Sequence, residues 1–247
     1  MKRAFAWGAV GTATLLVALT FAGTGGAAAL TGSGSISRPY PPPPTKGEPI
    51  RSAPTVSVPV PPVDSGYGTG TLQRRAVLEA AGSGCPAAIT GTVGSAPSKK
   101  SPKGVLGTTS ADLLSFALGY NRTRVANCLR PVPLANFRYD ACMEARLFWM
   151  AEDPSLDPSS AWGHIGTVRS DGVPSVGCDG NLAGGNNNTG DTVATKWWQS
   201  TSHRTSLYKP TYTGSTAGVC IYLAMTHGGV PNEPLTFVRA ASRWGSC

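Results

Sequence analysis

Apolar positions recur at regular spacing along the second half of the chain, whereas the residues before position 110 show little such order. Leu113, Phe116, Ala117 and Tyr120 fall at i, i+3, i+4 and i+7, one stripe of a helix. Ser110 stands before them as an expected N-cap with Asp112 in the first turn, so a helix is predicted from about 110 to 126. A second helix is predicted from about Tyr139 to Glu152, with Cys142, Ala145, Leu147, Phe148 and Met150 as apolar contributors and Asp153-Pro154 as its stop. Residues 153–190 are rich in turn formers and are expected to be loop.

A third helix is predicted to start after Asp191 and run to about Ser202, burying Val193, Ala194, Trp197 and Trp198, with one tryptophan in the core and the other partly exposed. Residues 217–226 and 234–244 are apolar and β-branched and read as two strands, joined by a turn at Gly228-Gly229-Val230-Pro231-Asn232. Helices first and a strand pair last predict an α+β domain rather than repeated βαβ units. A short helix is also expected over 71–82, with Leu72, Val77 and Leu78 on one side.

The start of the chain changes the compartment expected. Lys2 and Arg3, the apolar run Ala13–Phe21 and the small residues Ala27-Ala28-Ala29 follow the order of a secretory signal over residues 1–29. The apolar run is too short for the roughly 20 residues of a spanning helix. Residues 30–70, with Pro41 to Pro44 and Pro59-Val60-Pro61-Pro62, form an expected Pro-rich, disordered spacer. Residues 71–109 form a pre-domain segment and 110–247 the main domain.

Cys85, Cys128, Cys142, Cys178, Cys220 and Cys247 are an even set, expected to form three disulfides in an oxidising compartment. The sequence does not select their pairing; the expectation carried forward is Cys128–Cys142, Cys178–Cys220 and Cys85–Cys247. The net charge of +8 is uneven. Residues 31–109 carry eight basic and three acidic side chains, whereas 110–247 carry eleven and ten. A basic tail suits an anionic envelope polymer or membrane surface, and is also explained as a solvated linker. Nucleic acid is not expected, because no basic cluster is interleaved with aromatics.

Several segments occur together in the order found in one family. Tyr120-Asn121-Arg122-Thr123-Arg124 lies in the first helix. Tyr139-Asp140, Ala145 and Trp149-Met150-Ala151 lie in the second. Trp162-Gly163-His164, Asp171-Gly172 and Asn181-Leu182-Ala183 follow in the loop. Trp197 to Ser200, Ser202-His203-Arg204 and Tyr208-Lys209-Pro210 complete the series. The stretch from about 111 to 244 resembles the CAP superfamily of cysteine-rich secretory, antigen-five and pathogenesis-related proteins, in its bacterial extracellular branch. The resemblance implies a three-layer α–β–α sandwich, an extracellular or wall-associated protein, and a groove around His164, Asn181 and His203. In some branches it implies lipid or glycan ligands. One departure is specific: the family glutamate that precedes the asparagine is Gly180 here.

His164 and His203 are the candidate ligands for a divalent metal, zinc or calcium, if the fold brings them together. With the glutamate absent, Asp171 and Asp179 are the nearby carboxylates. The candidate groove comprises Trp162, His164, Asp171, Asp179, Asn181, Ser200 and His203. A nucleophilic serine is disfavoured, because Ser200 and Ser202 are expected as helix-end hydrogen-bonding residues and no Gly-x-Ser-x-Gly turn is present. His227 is expected as a surface turn residue. The leading expectation is a non-enzymatic extracellular binding module. The alternatives are a metal-assisted hydrolase of extracellular or envelope polymers and a structural surface protein. No catalytic residue is assigned.

Overall fold

The computed structural model describes residues 68–87 and 90–247. The expected signal peptide and most of the Pro-rich spacer lie outside the described residues.

The described residues form a mixed α and β structure with five helices and a four-stranded sheet. Helix α2 spans Ser110–Ala126. Its N-cap is Thr109 rather than Ser110, because Thr109 and Asp112 form a reciprocal capping box that satisfies two otherwise orphaned N–H groups. Strand β1 is the short Phe137–Tyr139, and Asp140 then caps helix α3, Ala141–Ala151, by accepting from the N–H groups of Cys142 and Met143. Strand β2, Asn181–Asn186, lies inside the stretch expected as loop. Helix α4, Gly190–Gln199, is capped by Thr189, and a single turn α5, Thr201–His203, runs into a π-helical turn, Arg204–Tyr208. Strands β3, Val219–Gly229, and β4, Glu233–Ser246, form the expected hairpin.

The sheet order is β1-β3-β4-β2, with β1 parallel to β3 and the other pairs antiparallel. Both faces are covered, which explains the near-continuous apolar run of β3. Ile221, Leu223, Met225, Val238 and Ala240 pack with residues of α2 and α4, including Phe116, Tyr120 and Trp197. Ala224, Ala241 and Leu182 pack with Met143, Leu147 and Met150 of α3. Trp197 and Trp198 are both buried, correcting the expectation that one is partly exposed. Val193, Ala194, Trp197 and Trp198 all fall in one helical stripe, and Tyr208 closes over Trp198 with its ring centroid 5.1 Å away at an interplanar angle of 81°.

The pre-domain segment packs onto the same core. Val93, Ala96 and Val105 are buried, Leu106 bridges to His227, and Thr108 exchanges hydrogen bonds with the Met225 backbone. Helix α1, Gly68–Ala80, attaches through its polar side. Thr71 donates to Asn127 Oδ1 and Arg74 donates to the Asn127 carbonyl, while Leu72 and Val77 face solvent.

The disulfides are Cys85–Cys128, Cys142–Cys178 and Cys220–Cys247, which corrects every expected pair. Cys220 and Cys247 lie at the free ends of hairpin-paired β3 and β4, and Cys142 opens α3 where the 164–179 loop returns to it. Proximity created by strand pairing and loop return decided the partners. Three disulfides fit an oxidising compartment outside the cytosol. No helix among the described residues is long and apolar enough to cross a membrane.

Candidate functional site

The loop between α3 and β2 is held by buried arginines and a disulfide. Arg146 lies on the apolar stripe of α3 yet is fully buried, and its guanidinium donates to the carbonyls of Gly163 and His164 at 2.9 and 2.7 Å. It also bonds Ser175 Oγ and stacks on Trp149, 4.2 Å from the ring centroid. Burial pushes this guanidinium below its ordinary value, and the charge of Asp179 acts in the opposite direction. Cys178 is tied to α3 by both its disulfide and its N–H bond to the Cys142 carbonyl. Together these contacts place the backbone of His164 and Asp179.

Between these two residues the side chains pair, His164 Nδ1 lying 2.7 Å from Asp179 Oδ1. Asp179 also accepts from the N–H of Gly180 at 3.0 Å and of Ile165 at 3.4 Å. Partial burial works to raise the Asp179 pKa, but the hydrogen bonds from His164, Gly180 and Ile165 outweigh it and the net shift is downward. Asp179 is therefore a carboxylate near neutral pH, able only to accept, and Nδ1 of His164 carries the proton. The pair remains open to water, with side-chain exposures of 64% and 40%.

His203 ends α5 and is half-buried. Burial first, and the charge of His164 second, push its imidazole below the ordinary value. Asn181 stands at the start of β2, where Nδ2 donates to the Ser242 carbonyl and Oδ1 accepts from Ser206 Oγ at 2.6 Å. Ser206 follows His203 by one turn and links that turn to the sheet.

The remaining candidates fall elsewhere. Asp171 is held by Arg169, whose Nε and Nη2 lie 2.9 and 2.6 Å from its carboxylate oxygens, and this pairing lowers its pKa. Ser200 Oγ contacts Ser202 Oγ at 3.2 Å. Trp162 packs with the α3 side of the core, and its ring fills the place where a Cβ on Gly184 would sit, 2.7 Å from Cη2. His227 is buried rather than at the surface, its Nε2 lying 3.0 Å from Asp112 Oδ2. The bridge between Leu106 and His227 covers it with the pre-domain segment.

A metal finds too few partners here. His164 spends Nδ1 on Asp179, leaving Nε2 and the His203 ring, and Gly180 offers no side chain. Catalytic zinc takes three protein ligands, and among the described residues no group of three or more His, Cys, Asp or Glu side chains is placed to hold an ion. The residues do not fit a protein-built metal centre. Arg146 and Ser206, which fix the two halves of the site, were not singled out from the sequence. The signal for Arg146 was an arginine at i+3 from Met143 and i−4 from Met150. Ser206 carried none.

Comparison of the chain with protein-family models, with curated proteins and with solved structures finds no match.

Proposed function

We propose that this chain is an exported binding module with a CAP-like α–β–α sandwich, holding a polar group of an extracellular lipid or glycan between His164 and His203 without chemical turnover. The observation that carries the reading is the exposed His164 imidazole oriented by Asp179, with His203 on the turn that Ser206 ties to Asn181, two residues beyond Asp179. The neighbouring hydroxyls are engaged elsewhere: Ser206 bonds Asn181, and Ser200 and Ser202 contact one another. Nucleophilic catalysis needs a hydroxyl within reach of an oriented base. An imidazole whose outward nitrogen carries a lone pair, by contrast, suffices to accept from a ligand hydroxyl. The sandwich is supported by α2 and α4 packing on one face of the sheet and α3 on the other. Export is supported by the three disulfides.

The test is a titration followed at the histidine ring protons by NMR, using tri-N-acetylchitotriose and dihexanoylphosphatidylglycerol as separate probes. A saturable shift of both His164 and His203 with one probe, absent in His164→Ala, supports the reading. No shift with either probe sinks it. Turnover of a probe that disappears in His164→Ala would replace binding by catalysis.

A further inference from the structure

We propose that the loop 164–177 docks the protein on an anionic phospholipid surface by pressing its aliphatic side chains into the lipid. This goes beyond the histidine site and does not depend on it. Four β-branched residues of the loop face water: Ile165 at 56%, Val168 at 71%, Val173 at 42% and Val176 at 47% exposure. Their exposure is not slack. The Trp149 indole N–H donates to the Val173 carbonyl, Arg146 holds the His164 carbonyl, and Arg169 donates to the carbonyls of Trp149 and Glu152. The Cys142–Cys178 disulfide closes the far end. A loop fixed this firmly presents its apolar groups already ordered, so little conformational entropy is lost when they are buried.

The charges of the loop are settled internally. Arg169 is buried against Asp171 within the loop, and Asp179, which stays a carboxylate hydrogen-bonded to His164, lies beyond the loop's end. Thr167, Ser170 and Ser175 are small and uncharged. Entry of this loop into lipid therefore strips water from aliphatic groups without first breaking a solvated charge. A protein-binding surface usually draws its energy from tryptophan, tyrosine, arginine or methionine, and this loop exposes none of them.

Charge completes the match. Lys103 Nζ donates to the same Glu152 carbonyl as Arg169, balancing the Glu152 carboxylate that accepts from the Lys103 N–H, so the attraction to lipid comes from the chain's net charge. The chain carries a net +8, with residues 31–109 supplying an excess of five. A basic chain bearing a neutral aliphatic loop is drawn to an anionic bilayer over a Debye length and held there by apolar burial.

The experiment is co-sedimentation of the full chain with phosphatidylcholine vesicles, with and without phosphatidylglycerol. Wild type is expected to bind the anionic vesicles and to weaken, without release, between low and physiological salt. Val168→Asp is expected to bind about tenfold more weakly, the loss of one buried valine. Val77→Asp, at an equally exposed aliphatic on α1, is expected to bind as wild type. Circular dichroism on each variant separates lost docking from lost folding. Failure of wild type to bind anionic vesicles, equal binding by Val168→Asp, or equal weakening by Val77→Asp would each overturn the proposal. A Val168→Asp chain that loses vesicle binding yet keeps the histidine ring-proton shift with a soluble probe keeps docking separate from the ligand reading of the histidines.

Discussion

Asp179 Oδ1 lies 2.7 Å from His164 Nδ1 across the mouth of a disulfide-closed loop, one residue before the glycine that stands where the resemblance leads one to expect a glutamate. The carboxylate is spent on orienting an imidazole. It fixes the proton on Nδ1 and turns the lone pair of Nε2 outward. Asp179→Ala removes that constraint, and the population with the proton on Nε2 is expected to grow. Nitrogen-15 shifts of the His164 ring check this. A wild-type ring already protonated at Nε2 near neutral pH would show that Asp179 does not set the tautomer.

His203 is expected to titrate below the ordinary imidazole value of 6.5, chiefly through burial and secondarily through His164. In His164→Ala the second cause disappears, so the His203 midpoint moves up part of the way. The unfolded chain binds this proton more readily than the folded one. Its contribution therefore lets stability fall as pH drops from 6.5 through the folded value, and levels off below it. Ring-proton titration of the two proteins reads both midpoints; an unchanged His203 midpoint in the variant would place the histidines out of electrostatic reach.

Arg146→Met preserves much of the side-chain volume and removes the donors that hold Gly163 and His164. Leaving such acceptors without partners costs about 1–3 kcal/mol each, so for the two carbonyls a loss of roughly 2–6 kcal/mol is expected by denaturant melts. The His164 to Cys178 amides should also exchange with solvent faster than those of β3. Uniform exchange rates in the variant would argue that the loop holds itself.

Much of the architecture was legible because its elements are long and periodic. The stripe Leu113, Phe116, Ala117 and Tyr120 marks α2, and the apolar run 219–225 marks β3. Strand β1 has three residues, too few to show alternation, and β2 is Asn-Leu-Ala-Gly-Gly-Asn, whose composition argues for turn. Its glycines are used for contact: Gly184 admits the Trp162 ring. The histidines of the site were legible as residue types. Their partners were not, because Asp171 and Asp179 are equivalent in a loop sequence and only the buried guanidinium of Arg169 claims one of them. The disulfides failed for the same reason, since they record pairing between segments distant along the chain.

Gly180→Glu tests whether the missing carboxylate can be restored. A Cβ at this position would lie 2.8 Å from Met143 Sδ and 3.1 Å from the Ser242 carbonyl. Met143 is fully buried on α3, so the methionine must shift within a packed core. Overpacking of this kind costs about 1–3 kcal/mol. The expected outcome is a lowered Tm with no gain of bound zinc after dialysis. A variant as stable as wild type and holding one zinc per chain would show that the site needs only its glutamate.

His227, near the end of the interior strand β3, and Asp112 join the sheet to the start of α2 from within the protein. Burial works to raise the Asp112 pKa, but the hydrogen bond and charge of His227, with the bonds from Thr109, bring it below the model-peptide value of 3.8. A carboxylate depressed on folding contributes stability that is present above its unfolded value and lost as pH falls through its folded value. His227→Ala removes the largest of the lowering causes, so the loss of stability as pH falls from 3.8 through the folded value of Asp112 should shrink relative to wild type. At neutral pH the same substitution is expected to cost about 1–3 kcal/mol, because Asp112 loses a partner in a nearly water-free place. Denaturant melts of wild type, His227→Ala, Asp112→Ala and the double variant, repeated across pH, separate the pair energy from the capping contribution of Asp112. If the two single losses simply add, the contact is incidental and α2 is held by its Thr109 cap alone.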